Sequence, residues 1–61
     1  MKVRDYKNPK ELVGEAILRD HQTGELYALV HLGRIAICSD ASGSRIDLNR
    51  KYVDNFDIFS V

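Results

Sequence analysis

The sequence predicts a small all-β domain, an antiparallel meander or partly open barrel of four to five strands. Three observations carry that reading. Aliphatic residues recur with period two from Leu12 to Ser39 and again at Ile46 and Leu48, the alternation of strands that bury one face. Three stretches rich in glycine and small polar residues, Gln22-Thr23-Gly24, Gly33-Arg34 and Asp40-Ala41-Ser42-Gly43, interrupt the alternation at hairpin spacing. Glycine is what hairpin loops require where φ is positive. Finally, loops of three, two and four residues at those places bring one apolar face into line on every strand, and agreement between independent features is itself evidence.

Met1 to Lys7 is polar and basic, with Val3 and Tyr6 as its apolar members, and reads as a mobile or edge segment. Asn8-Pro9-Lys10-Glu11 has the make-up of a helix start: a capping asparagine, proline in the first helical position and glutamate where a capping box wants it. A single helical turn near residues 9–12, followed by a strand, is the preferred continuation. The competing class is α+β, with an N-terminal helix over residues 9–22 packed on a three- to four-stranded sheet, because Leu12, Val13, Ala16, Ile17 and Asp20 also share a helical face. Against it stand Leu18, off that face, and Gly14, which costs ~1 kcal/mol inside a helix.

A loop over Gln22-Thr23-Gly24, with Asp20 bonding into its amides, aligns Leu12, Gly14, Ala16 and Leu18 with Leu26, Ala28, Val30 and Leu32. Gly33-Arg34 fits a type II′ turn that sets Leu32 opposite Ile35 and Val30 opposite Ile37. A four-residue loop over Asp40 to Gly43 then sets Ile37 opposite Ile46 and Ile35 opposite Leu48. Leu18, Val30, Ile37 and Ile46 are thus expected among the most buried residues, and Gly33 and Gly43 at positive φ. Residues 49–54 read as a short 3-10 or helical turn with Tyr52 and Val53 inward, and Phe56 to Val61 returns to strand chemistry. This order of elements resembles small Src-homology-type barrels in architecture. No family motif accompanies the resemblance, so it implies a fold and no activity.

Sixty-one residues make a single domain, 1–61, that buries only ~60% of the surface its unfolded chain exposes. Apolar residues at 44% and charged residues at 30% exclude a disordered chain. Nine basic residues balance nine acidic ones, which argues against non-specific attraction to nucleic acid or anionic lipid. Cys38 is the only cysteine; a small domain without a disulfide staple points to a reducing compartment. Met1 to Lys10 carries four basic residues and one acidic with no apolar core behind them, so no signal peptide is expected. No apolar run approaches the ~20 residues of a membrane span. The expected location is cytoplasmic, with no membrane partner.

Few residues suggest chemistry. His21 and His31 fall on different surfaces and have no ligand spacing with Cys38, so neither metal nor cofactor is expected. Cys38 lacks the adjacent base a thiol nucleophile needs, and Asp54 and Asp57 read as solvated or capping residues rather than a catalytic pair. Ser42-Gly43-Ser44 with Arg45 could mimic a phosphate loop, but no convincing helix follows it and a turn is the plainer reading. The protein is therefore read as not an enzyme.

The face opposite the expected core carries the functional expectation. In the register above, Ile17, Leu29 and Cys38 form a row across three strands, rimmed by Arg19, Tyr27 and His31. A solvated face should be polar, so this stripe suggests a site for another protein or for a second copy of the chain. The alternative is that Val3 and Tyr6, or the last strand, fold over it. The expected function is thus a non-enzymatic protein-interaction module or regulator acting through Ile17, Arg19, Tyr27, Leu29, His31 and Cys38, as a homodimer or on another protein. The less favoured alternative is RNA or single-stranded DNA binding along Arg45, Arg50, Lys51 and Tyr52, the one basic-aromatic cluster.

Overall fold

A computed structural model describes all 61 residues and shows five antiparallel strands in one open sheet, ordered β4-β3-β2-β1-β5. The strands are β1 (Ile17–Arg19), β2 (Leu26–Leu32), β3 (Ile35–Ser39), β4 (Arg45–Asn49) and β5 (Asp57–Ser60). One short helix, α1 (Arg50–Val53), precedes β5, and 3-10 turns cover Val3–Asp5 and Pro9–Leu12. The meander and both expected helical turns are present, and the helix over residues 9–22 is not. Gly14 explains why: it takes a left-handed conformation, φ 77°, which ends a helical turn rather than extending it. Its N–H donates to the Leu29 carbonyl at 2.9 Å, leading the chain into β1.

The hairpin registers differ from expectation by one residue at the first and third loops. In the first, Leu18 pairs with Tyr27 and Arg19 with Leu26, and the Asp20 N–H reaches the Glu25 carbonyl at 2.8 Å. The loop is four residues, His21 to Gly24, not three. Asp20 sets its length, because Oδ1 accepts from the amides of Gln22 (2.8 Å) and Thr23 (3.3 Å), while Gly24, at φ 78°, turns the chain back. In the third hairpin the Asp40 N–H bonds the Ser44 carbonyl at 3.0 Å, leaving a three-residue loop, Ala41 to Gly43. Asp40 Oδ1 accepts from the amides of Ser42 and Ser44, both at 2.9 Å. Gly43 has the expected positive φ, 87°.

Each single-residue slip exchanges the two faces of a strand. Here both slips act on the same pair, β2 and β3, which turn over together relative to β1 and β4. Between themselves they pair as expected in their outer half, Leu29 with Cys38, until a bulge at Val30 shifts the register so that His31 meets Ile37 and Leu32 meets Ala36. The bulge lets both Leu29 and Leu32 face inward although three positions apart. Gly33 does not have positive φ. A Cβ there would stand 2.9 Å from His31 Nε2, the tip of an exposed side chain that can swing aside, so neither a II′ turn nor backbone crowding demands glycine at this position.

The core therefore holds Leu18, Tyr27, Leu29, Leu32, Ala36 and Cys38 from the sheet. Of the four residues expected to be most buried, only Leu18 is; Val30 is 54% exposed, and Ile37 and Ile46 are half-buried. Val3, Leu12, Val53 and Phe56, all fully buried, close the inner face from outside the sheet. Met1 to Val3 are laced along β5 and its approach: Lys2 bridges Asp57, the Val3 N–H donates to the Phe56 carbonyl at 2.9 Å, and the Ile58 N–H donates to the Met1 carbonyl at 2.8 Å. Val3 thus joins the core, and Tyr6 packs against it. No helix is long and apolar enough to cross a membrane.

Candidate interaction surface

With β2 and β3 turned over, the outer face of the sheet carries Leu26, Val30 and Ile35, exposed by 39%, 54% and 46%. Phe59 joins them from β5 at 58%. Ile17, Leu26, Ala28 and Phe59, with Ser39 and Ala41, line an open cleft of about 350 Å³ across β1, β2, β3 and β5. A second shallow cleft, about 290 Å³, lies beside it against Val30, Ile37 and Arg45. The charged groups at the rim are mostly matched among themselves. Arg45 holds Asp47 through Nε (2.8 Å) and Nη2 (3.1 Å), while Asp57 meets Lys2 at 3.1 Å and Arg19 at 3.7 Å. The Lys2 contact in particular holds the Asp57 carboxyl below the usual carboxylate range.

The expected stripe is split by this arrangement. Ile17, Arg19 and His31 remain on the outer surface. Tyr27, Leu29 and Cys38 do not: they are 6%, 1% and 0% exposed, and they belong to the core. Their burial follows from the longer first loop and shorter third loop, and Val3 covers that face from the N-terminal side, one of the covers the sequence allowed. Leu26, Val30, Ile35 and Phe59 take the place of the buried three, although the sequence alone assigned the first three of these to the core.

Tyr27 is stacked against Phe56, ring centroids 5.9 Å apart, and donates its hydroxyl to Glu25 Oε2 at 2.7 Å. That bond and burial push the Tyr27 phenol up to about 12. Burial, reinforced by the charge of Asp47, pushes the Cys38 thiol up to about 11, so it is a neutral core side chain at physiological pH. The buried Asp20 carboxylate, 5% exposed, accepts from three donors: the Gln22 and Thr23 amides and the Tyr52 hydroxyl. Burial alone would raise its pKa, but the Gln22 amide, the Tyr52 hydroxyl and the Thr23 amide outweigh that effect and hold it below the usual range. Tyr52 Oη lies 2.8 Å from both Asp20 oxygens.

The basic-aromatic cluster is also divided. Arg50 and Lys51 line one cleft together with Gly33, Arg34 and Asn49. Arg45 stands at the opposite end of β4, paired with Asp47, and the Tyr52 ring leans on His21 and Phe56 at centroid distances of 4.9 and 5.1 Å. The Ser42 and Ser44 amides are committed to Asp40, so that loop has no phosphate cradle to offer. Asp54 pairs with Arg50 at 2.9 Å and caps α1. No three His, Cys, Asp or Glu side chains gather as a metal site. No protein-family model matches the chain, and comparisons with curated proteins and with solved structures find no match.

Proposed function

We propose that the protein is a non-enzymatic, cytoplasmic protein-interaction module that works as a homodimer joined through the outer face of its sheet. The observation that carries this is the set of large apolar side chains on that face, Leu26, Val30, Ile35 and Phe59, each more than a third exposed. Monomeric proteins rarely leave such residues contiguous, and a patch rimmed by charge commonly marks an interface. The occupant is argued from the rim. Arg19 and Arg45 are already answered by Asp57 and Asp47 within the chain, so the face carries little net charge to select a strongly charged partner. A second copy of the same face, apolar at the centre and neutral at the edge, complements it. Association of this kind also suits a domain whose own core is small.

The test is the solution mass of the 7.0 kDa chain by light scattering, for the parent and for Phe59→Lys and Val30→Lys. The parent should run at twice the chain mass. Both variants should keep the parent circular dichroism yet run as monomers, because a lone charge in an apolar contact costs several kcal/mol. A parent that stays monomeric at millimolar concentration would overturn the homodimer, and folded lysine variants that still dimerise would overturn the face.

A further inference from the structure

We propose that the cleft between the β2–β3 turn and α1 is an anion site that takes a phosphate group. Gly33, Arg34, Asn49, Arg50 and Lys51 line its roughly 340 Å³, and none of them is apolar or acidic. The Arg50 N–H donates to the Arg34 carbonyl at 3.2 Å, which ties the turn to the helix and fixes the cleft's two sides. Four of the nine basic side chains are answered by an acid: Lys2 and Arg19 by Asp57, Arg45 by Asp47, and Arg50 by Asp54. Arg34 and Lys51 have no acidic partner. Arg50 uses only Nε on Asp54, which leaves its two terminal nitrogens as donors. Asn49 accepts the Lys51 amide on Oδ1 at 2.8 Å, so its own NH₂ is unspent as well.

Two unmatched positive charges and an arginine fork therefore border one cleft in a chain whose net charge is zero. A phosphate monoester, with about −1.5 to −2 charge at neutral pH, balances them, and its oxygens suit bidentate guanidinium donors. A carboxylate would balance only half of that charge. No aromatic ring lines the cleft, since Tyr52 is turned to Asp20. Without a platform on which bases stack, the recognised chemistry is the phosphate itself rather than a nucleobase.

Amide NMR titration of the full chain with inorganic phosphate, against chloride at matched ionic strength, tests this. Saturable shifts confined to residues 33–34 and 49–51 are expected, with half-saturation at about 1 mM, the strength of a few charge-assisted hydrogen bonds. Arg34→Gln and Lys51→Gln, both at exposed positions, should each weaken binding about tenfold while leaving the remaining spectrum unchanged. Shifts that fail to saturate, or that persist in both variants, would overturn the site as mere screening. A single-stranded oligonucleotide and phosphatidylserine vesicles form the other arms. Binding of either at these residues without binding of inorganic phosphate would overturn the small-anion assignment.

Discussion

Replacing Leu29 with alanine and, separately, Val30 with alanine sets two adjacent residues of β2 against each other. Leu29 is 1% exposed and faces Cys38, whereas Val30 is 54% exposed at the bulge. Truncating a buried leucine costs about 2–5 kcal/mol, the lost transfer energy plus the cavity left behind. At the usual stability per residue, a 61-residue domain has roughly 3–9 kcal/mol in total. Leu29→Ala should therefore remove a large share of it and lower the melting temperature by roughly 10–30 °C. In the single chain Val30→Ala removes two methyl groups that stand mostly outside the core, so at concentrations too dilute for dimerisation it should cost under about 1 kcal/mol. Thermal and urea unfolding followed by circular dichroism measure both. A Val30→Ala variant that loses as much stability as Leu29→Ala would refute the register, and with it the division between core and outer face.

Asp20 supplies a pH test: its folded pKa lies below the unfolded value, so its contribution is complete above about pH 4 and is lost as pH falls through the lower folded value. The urea midpoint of the parent should decline in that acid range, and Asp20→Asn should flatten the decline while lowering the midpoint at pH 7. Cys38, buried and with its thiol raised, should react with an aromatic disulfide reagent at pH 8 only as fast as the chain opens, and rapidly in denaturant; immediate stoichiometric labelling of the folded protein would contradict its placement. Gly33→Ala should shift the His31 ring resonances, because the added methyl meets Nε2, and unchanged resonances would show that the space is open.

The class of fold was legible because it rests on alternation and on turn residues, which are local. Parity was not, since it depends on loop length to the residue. Asp20 and Gly24 bracket the first loop, and Asp40 and Gly43 bracket the third. In both, the aspartate directly follows its strand and closes the hairpin through its own N–H, and its carboxylate gathers amides of the turn. Treating each Asp as a closing residue and each Gly as the end of the loop gives the observed registers. Treating Asp20 as strand and Asp40 as loop gave slips of opposite sense. The bulge at Val30 had no local signal, because Leu26 to Leu32 holds no glycine or proline and reads as one continuous strand. For the outer surface, alternation showed that two apolar faces exist, and loop length alone decided which one water sees.

The bond from Tyr52 to Asp20 spans 32 positions of sequence. Contacts of such separation require a large loop to close and form late, after the local hairpins whose turns Asp20 and Asp40 organise. If the folding nucleus is those hairpins, loss of the Tyr52 hydroxyl leaves the refolding rate almost untouched and is felt as faster unfolding. The lifetime of the native state, rather than the speed of reaching it, is then what this one phenol controls.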